Sequence, residues 1–161
     1  MIKELWVYRH SYTNTNSIKQ KDIDRSLSDR GIEVAIERGA YLRNHNIFFD
    51  IVIHSPAARV IETLQYTIDR FYLCNEYYQL DSIYTDNAHK IFIDLIKVCD
   101  KKNISKVLLI GHEPYCSKLV YYLTGNEVEN FIEASIVKII FQDKPLWSDI
   151  HYGDGKFIEV L

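Results

Sequence analysis

The stretch LWVYRHSYTNTN, residues 5–16, changes character near its middle. Leu5 to Tyr8 are apolar and aromatic residues that favour a β-strand, whereas the residues at its end are polar. Between the two parts stand Arg9 and His10, a cation and an imidazole at the carboxyl end of the predicted strand. Because packing of a buried strand does not require these side chains, their position raises the question of a functional role.

Apolar runs and helical periods alternate along the remainder of the chain, and this alternation predicts the fold. Further strands are predicted at 50–53, 107–110, 135–141 and 156–161. We predict helices that begin with Ser28 as N-cap, with Ser55 as N-cap and Pro56 as N1, with Asp86 as N-cap, and at Pro114, the last ending at Gly125. Region 72–85 is predicted to be irregular. Strands that alternate with helices favour a mostly parallel sheet covered on both faces, a three-layer α/β/α sandwich.

Length and charge limit the classes of protein to consider. A chain of 161 residues fits one domain, residues 1–161. The net charge of −3 gives no basic surface for a nucleic acid or an anionic membrane. Three cysteines without a CxxC pair fit a reducing compartment. With no signal-like or membrane-spanning apolar run in the sequence, we expect a cytoplasmic protein; the sequence leaves its oligomeric state open.

Three predicted strand ends carry residues that bind anions. Arg9 and His10 follow the first strand, His54 and Ser55 end the second, and His112 and Glu113 follow the strand at 107–110. In open α/β sheets, ligands bind at the carboxyl ends of the strands. Arg59 lies in the first turn of a predicted helix, where a cation opposes the helix dipole unless an anion compensates it. Guanidinium groups, helix N-termini and imidazoles together favour a phosphate ligand.

A covalent mechanism is one consequence of this arrangement. Ser11, Thr13, Ser55 and the cysteines are possible nucleophiles, but a neutral imidazole in the correct tautomer needs no deprotonation to attack phosphorus. We therefore expect a phosphohistidine to form on His10. Each residue alone also has a structural interpretation. Arg59 could pair with Glu62 or Asp29, and His112 could cap a helix.

Four segments, in order, resemble the motifs of one family. Arg9-His10-Ser11 resembles its Arg-His-Gly signature, and LSDRGIEVA at 27–35 resembles a helix start. HSPAARVIET at 54–63 and LLIGHEPYCSKLVYYLTG at 108–125 resemble its later motifs. The family is the histidine phosphatase superfamily, also called phosphoglycerate mutase-like. The GHEP sequence and the short chain are most similar to the SixA-type branch of phosphohistidine phosphatases.

The resemblance implies a role for each matching position. His10 would be the nucleophile, Arg9 and Arg59 would bind phosphoryl oxygens, and His112 would donate to the transferred group. Asn16 is a looser match to a phosphate-contacting asparagine. The resemblance implies neither a metal nor another cofactor.

Further positions bear on the site. Ser11 replaces the motif glycine, so its backbone must avoid conformations that only glycine tolerates. His54 replaces a small residue and could either contact the substrate or cap the strand. Ser11, His54 and Glu113 are accordingly expected near the substrate. The general acid is left unassigned, with Glu76, Asp81, Asp86 and Glu113 as its candidates.

The expected function is a metal-independent phosphatase that acts through phosphohistidine. Its first expected substrate is a phosphohistidine on a protein phosphotransfer domain, because a short chain leaves the pocket open to a protein side chain. The second is a small phosphate ester. A non-catalytic module that binds phosphate or phosphohistidine is the alternative, and a mutase is less favoured because the chain has no room for pocket-covering insertions.

Overall fold

In the computed structural model of the protein, which describes residues 1–14 and 20–161, a six-stranded sheet lies between two layers of helices. The strands are β1 (Ile2–Arg9), β2 (Ile51–His54), β3 (Tyr77–Gln79), β4 (Lys106–Gly111), β5 (Ile136–Gln142) and β6 (Lys156–Glu159). They lie in the order β3-β2-β4-β1-β5-β6. The first four in this order are parallel, β5 runs antiparallel to β1, and β6 runs antiparallel to β5. The predicted three-layer sandwich with a mostly parallel sheet is confirmed.

The helices are α1 (Asp29–Asn44), α2 (Ala58–Thr67), α3 (Ser82–Thr85), α4 (Ala88–Lys102) and α5 (Tyr115–Thr124). Side chains of β1 alternate between the two faces of the sheet. Trp6 and Tyr8 pack in the core beneath α1 and α2, whereas Leu5 and Val7 pack in the core beneath α4 and α5. Among the residues described, no helix has the length and apolarity needed to cross a membrane.

Two of the predicted helix starts are confirmed. Ser28 caps α1, and its Oγ accepts a hydrogen bond from Gly31 N at 3.0 Å. Pro114 is the N-cap of α5, and Gly125 ends that helix with φ of 73°, a left-handed conformation that glycine adopts without a steric penalty.

Other boundaries differ from the predictions. The N-cap of α2 is Ala57 rather than Ser55, whose Oγ accepts a hydrogen bond from Ala57 N at 3.2 Å and lies 2.7 Å from His112 Nε2. The N-cap of α4 is Asn87 rather than Asp86, and its side chain accepts from Lys90 N at 2.9 Å. The region predicted to be irregular contains β3 and α3. All three residues of β3 are exposed, so this short edge strand has no alternation of apolar and polar residues to reveal it.

The strand register brings three functional segments together. Arg9 pairs with Gly111 across β1 and β4, and His54 pairs with Ile110 across β2 and β4. Just beyond the strands, His10 N donates to Gly111 O at 3.0 Å, and Ser55 N donates to Ile110 O at 3.3 Å. The carboxyl ends of β1, β2 and β4 therefore meet at one edge of the sheet.

Candidate active site

His10 is buried and held in one orientation. Its Nδ1 lies 2.7 Å from the carbonyl oxygen of Ser11. A carbonyl can only accept a hydrogen bond, so Nδ1 carries the proton and Nε2 of the neutral ring carries the free lone pair. Burial, followed by the positive charges of Arg59 and Arg9, lowers the pKa of His10 to about 4 against the opposing hydrogen bond to Ser11. The imidazole is therefore neutral and nucleophilic at pH 7.

His112 faces His10, with the two ring centroids 5.4 Å apart. Its Nε2 lies 2.7 Å from Ser55 Oγ, which itself accepts a hydrogen bond from Ala57 N at 3.2 Å. The Ser55 hydroxyl can donate to Nε2, and in that tautomer the proton of the neutral imidazole lies on Nδ1. Burial, and then the charge of Arg59, lowers the pKa of His112 to about 3. His112 is therefore a neutral ring with an N–H to donate.

Arg59 lies in the first turn of α2 with its side chain only 7% exposed. Its Nη1 donates to the backbone carbonyl of Asp22 at 2.9 Å, and its Nη2 donates to Asp22 Oδ2 at 3.1 Å. The anion that compensates this cation is Asp22, neither Glu62 nor Asp29. Glu62 instead accepts a hydrogen bond from Leu27 N at 2.7 Å.

Arg9 is the last residue of β1, and its backbone N donates to Ser135 O, just before β5, at 3.1 Å. Its Nη1 donates to Phe131 O at 2.9 Å, and its Nη2 lies 3.5 Å from Glu133 Oε1. Two terminal donors of Arg9 are thus directed toward the segment that precedes β5. Its charge nevertheless acts on His10, whose pKa it helps to lower after burial and Arg59.

Arg25 is a third guanidinium at the site, and the sequence analysis missed it. Its Nη1 donates to Thr13 Oγ1 at 2.6 Å, and its Nη2 lies 3.4 Å from Asp22 Oδ1. After the larger effect of burial, its charge contributes to the lowered pKa values of both His10 and His112. Arg25 follows a 3₁₀ turn, Asp22–Asp24, whose sequence has no hydrophobic period to signal a site.

Four residues of the candidate site have buried nitrogen atoms without a partner in the described part of the chain. Four such atoms, which form no hydrogen bond with any described residue, are the Nε atoms of Arg9, Arg25 and Arg59 and Nδ1 of His112. A buried polar atom without a partner costs about 1–3 kcal/mol. Three cations and an imidazole N–H would be satisfied together by one anion with several oxygens. The arrangement can therefore bind an oxyanion next to a neutral imidazole.

The remaining predicted binding residues have different environments. Ser11 is fully buried, its Oγ donates to Gly31 O at 2.8 Å, and its N donates to Thr63 Oγ1 at 3.0 Å. Both of its donors are thus used within the protein, and a substrate contact by Ser11 remains a prediction. Its backbone φ is not positive, so serine fits where the family motif has glycine. Asn16 lies outside the described residues.

His54 and Glu113 are also engaged locally. His54 Nδ1 lies 3.0 Å from Ser55 O, and the ring is half-buried. The Glu113 carboxylate accepts from Ser117 N at 2.8 Å and from Ser117 Oγ at 2.7 Å, which stabilises the first turn of α5. A substrate contact by either side chain remains a prediction.

Candidate acids from the segment between α2 and α4 also have partners. Glu76 forms an ion pair with Lys102, and Asp81 accepts a hydrogen bond from Gln79 at 3.2 Å. The general acid therefore remains unassigned among the predicted candidates.

Within residues 1–14 and 20–161, no three potential metal ligands cluster together.

The N-terminal part of the chain resembles a known family in sequence. The family model "Histidine phosphatase superfamily (branch 1)" matches residues 5–78. By sequence alone, the chain matches no curated protein.

Solved structures resemble the chain over almost its full length. A protein histidine phosphatase SixA complexed with tungstate has a TM-score of 0.80 at 20% identity, covering 96% of this chain and 94% of its own. A protein from Agrobacterium tumefaciens, provisionally named phosphohistidine phosphatase SixA, has a TM-score of 0.78 at 18% identity, covering 87% and 92%. A provisionally named SixA from Nakamurella multipartitia has a TM-score of 0.78 at 21% identity, covering 100% and 95%.

The family model covers the strand end with His10 and the start of the helix with Arg59. The structural matches extend the likeness to the segment with His112. The resemblance inferred from the sequence is thus confirmed: the chain carries the histidine phosphatase superfamily pattern over residues 5–78 and shares the fold of SixA structures.

Proposed function

We propose that this protein is a metal-independent phosphatase that acts through a covalent phosphohistidine on His10. The observation that carries the proposal is the orientation of His10. Its Nδ1–H donates a hydrogen bond to Ser11 O at 2.7 Å, so the Nε2 lone pair is available to a ligand that the buried donors of the site hold. The superfamily match supports a phosphatase.

In the first step, Nε2 of His10 attacks phosphorus and forms an N–P bond. The bond from phosphorus to the leaving group breaks in line, and the leaving group takes the electron pair and a proton from solvent or from the substrate. The three guanidinium groups, those of Arg9, Arg25 and Arg59, and the Nδ1 proton of His112 stabilise the charge on the phosphoryl oxygens. Since these donors are already fixed by the fold, little reorganisation is needed.

In the second step, water attacks phosphorus and the bond to His10 Nε2 breaks. Nε2 regains its lone pair, and the proton lost by water passes to the departing phosphate or to solvent. The products are inorganic phosphate and the free enzyme. The same donors serve both steps, because the phosphoryl group keeps its place while the attacking and leaving groups exchange sides.

We infer that the substrate is a phosphohistidine carried by another protein. The N–P bond of phosphohistidine breaks with less protonation than an alkyl phosphate ester needs. Two of the carboxylates considered as acids, those of Glu76 and Glu113, are engaged by Lys102 and Ser117. A site with weak acid catalysis favours such a leaving group. The SixA proteins whose structures resemble this chain are named phosphohistidine and protein histidine phosphatases, which supports this substrate class.

Turnover of an aryl phosphate in the presence of a chelator tests the proposal. We expect the wild type to release phosphate and the His10→Ala variant to lose at least about a thousandfold of kcat, as removal of a nucleophile does. His45→Ala, which changes an exposed histidine at the end of α1, is the matched control and should keep full activity. Equal turnover by wild type and His10→Ala would overturn the proposal. Binding of phosphate without turnover would favour the non-catalytic module.

A further inference from the structure

The carboxylate of Asp22 lies over the phosphoryl-binding arginines. Its Oδ2 accepts hydrogen bonds from Arg59 Nη2 at 3.1 Å and from the Tyr84 hydroxyl at 2.8 Å. Its Oδ1 lies 3.4 Å from Arg25 Nη2. The Asp22 side chain is 47% exposed, whereas that of Arg59 is 7% exposed. The carboxylate therefore stands between a buried guanidinium and solvent.

Tyr84 connects this carboxylate to the catalytic ring of His112. The two rings meet edge to face with centroids 5.7 Å apart, and the Tyr84 ring centroid lies 6.0 Å from Arg59 Cζ. The charge of Asp22 also acts on His112, where it opposes the larger effects that lower the pKa of that histidine. Asp22 and Tyr84 together form a wall of the site on the side of Arg59 and His112.

The carboxylate itself remains charged. Burial alone would raise the pKa of Asp22, but the hydrogen bond from Tyr84 and the charge of Arg59 outweigh it and lower that pKa. An ionised Asp22 cannot serve as a general acid at neutral pH. It does place a fixed negative charge beside the position that a phosphoryl group would occupy.

We propose that Asp22 is a specificity-determining residue, whose carboxylate disfavours substrates with a second anionic group near the phosphoryl group and favours neutral or cationic leaving groups. The inference rests on the proposed function, because it concerns the leaving group of that reaction. A negatively charged substituent next to the phosphorus would be repelled by Asp22, and a positively charged one would be attracted. An imidazole that accepts a proton as it leaves belongs to the favoured class.

Three phenyl phosphates that differ only at the para position provide the test. One carries a neutral acetyl group, one a carboxylate and one a trimethylammonium group. Intrinsic differences in reactivity between the esters cancel when each variant is compared with wild type on the same ester. The quantity measured is kcat/KM for the charged esters relative to the acetyl ester.

Asp22→Asn removes the charge while keeping the shape of the side chain. We expect it to raise the relative kcat/KM of the carboxylate ester by about threefold to fivefold and to lower that of the trimethylammonium ester, the size of one charge interaction at a half-exposed position. Asp24→Asn in the same 3₁₀ turn makes the same change of charge and should leave the ratios unchanged. Circular dichroism confirms that each variant is folded.

Unchanged ratios in Asp22→Asn overturn the inference, and so does an equal gain for all three esters, which would mean that Asp22 only competes for Arg59. Failure of the proposed function gives a different result, since the wild type would then turn over none of the esters. In that case calorimetry measures the dissociation constants of the same esters. The inference then predicts that Asp22→Asn strengthens the binding of the carboxylate ester relative to the acetyl ester, and unchanged ratios of dissociation constants overturn it.

Discussion

Ser55 Oγ lies 2.7 Å from Nε2 of His112 and so connects the end of β2 to the residue that follows β4. With the Ser55 hydroxyl as donor, this bond selects the tautomer of His112 whose proton lies on Nδ1. Ser55 is fully buried and does not depend on substrate for its position. We interpret it as a positioning residue that keeps the Nδ1 proton of His112 available to a phosphoryl oxygen.

Replacement of Ser55 by alanine should therefore lower kcat with little change in KM. Loss of one buried hydrogen bond is worth about 1–2 kcal/mol, or roughly a tenfold decrease in kcat. Steady-state kinetics on an aryl phosphate measures the effect, and Ser55→Thr should restore part of the rate because it retains a hydroxyl. An increase in KM alone would contradict the positioning role.

Acid should destabilise the fold between pH 7 and pH 5 because of His10 and His112. Burial, as the largest cause, lowers their pKa values to about 4 and about 3, whereas an unfolded histidine titrates near 6.5. Below pH 6.5 the unfolded chain binds protons that the folded chain does not, so the free energy of unfolding falls as the pH falls. We expect a loss of about 1–2 kcal/mol per histidine by pH 5.

Urea unfolding at pH 7 and pH 5 measures this loss. The double variant His10→Gln, His112→Gln should show a much smaller difference between the two pH values. The ¹⁵N resonances of both rings should also remain those of neutral imidazole down to pH 5. Protonation of either ring near pH 6.5 would contradict the burial of these groups.

Arg25 should contribute to phosphate binding although no sequence motif marked it. Its Nε is buried without a partner among the described residues, and its charge acts on both histidines. Arg25→Ala should weaken the binding of tungstate by about tenfold, the loss of one charge-assisted hydrogen bond. Isothermal titration calorimetry measures the dissociation constant. Arg30→Ala is the control, since Arg30 is exposed and lies over the Tyr12 ring. Equal effects of the two variants would exclude a specific role for Arg25.

Restoration of the motif glycine at Ser11 should cost stability rather than improve catalysis. Ser11→Gly removes the hydrogen bond to Gly31 O and adds backbone freedom to the unfolded chain, at a cost of about 1–2 kcal/mol. Ser11→Ala should lose about 1 kcal/mol, the contribution of the hydrogen bond. Thermal unfolding and steady-state kinetics on the same samples measure both effects. A large gain in kcat for Ser11→Gly would mean that serine impairs the site.

Local signals in the sequence predicted the sheet layers and two helix starts correctly. The Ser28 cap and the pair Pro114 and Gly125 act within a few residues of the chain, where composition alone is informative. The sequence does not show that the Ser55 hydroxyl lies next to His112, because that residue follows another strand. The sequence of β3 contains too few residues, all exposed, for a period to be recognised.

The site was predictable where residues end strands and unpredictable where they approach from a loop. His10 and His112 follow adjacent parallel strands, so the topology alone brings them together. Asp22 and Arg25 reach the site from the 3₁₀ turn before α1, and Tyr84 reaches it from α3. Their contacts depend on the path of a loop, for which hydrophobic patterning gives no information.

The central claim is that a phosphoryl group passes through His10, and rapid quenching tests it most directly. Wild type mixed with an aryl [³²P]phosphate and quenched in alkali, within a single turnover, should carry label that is stable to alkali and labile to acid, and peptide mapping should place it on residue 10. His10→Ala should carry none. Label on another residue, or full turnover by the wild type with no trapped label and no loss of rate in His10→Ala, would contradict the account.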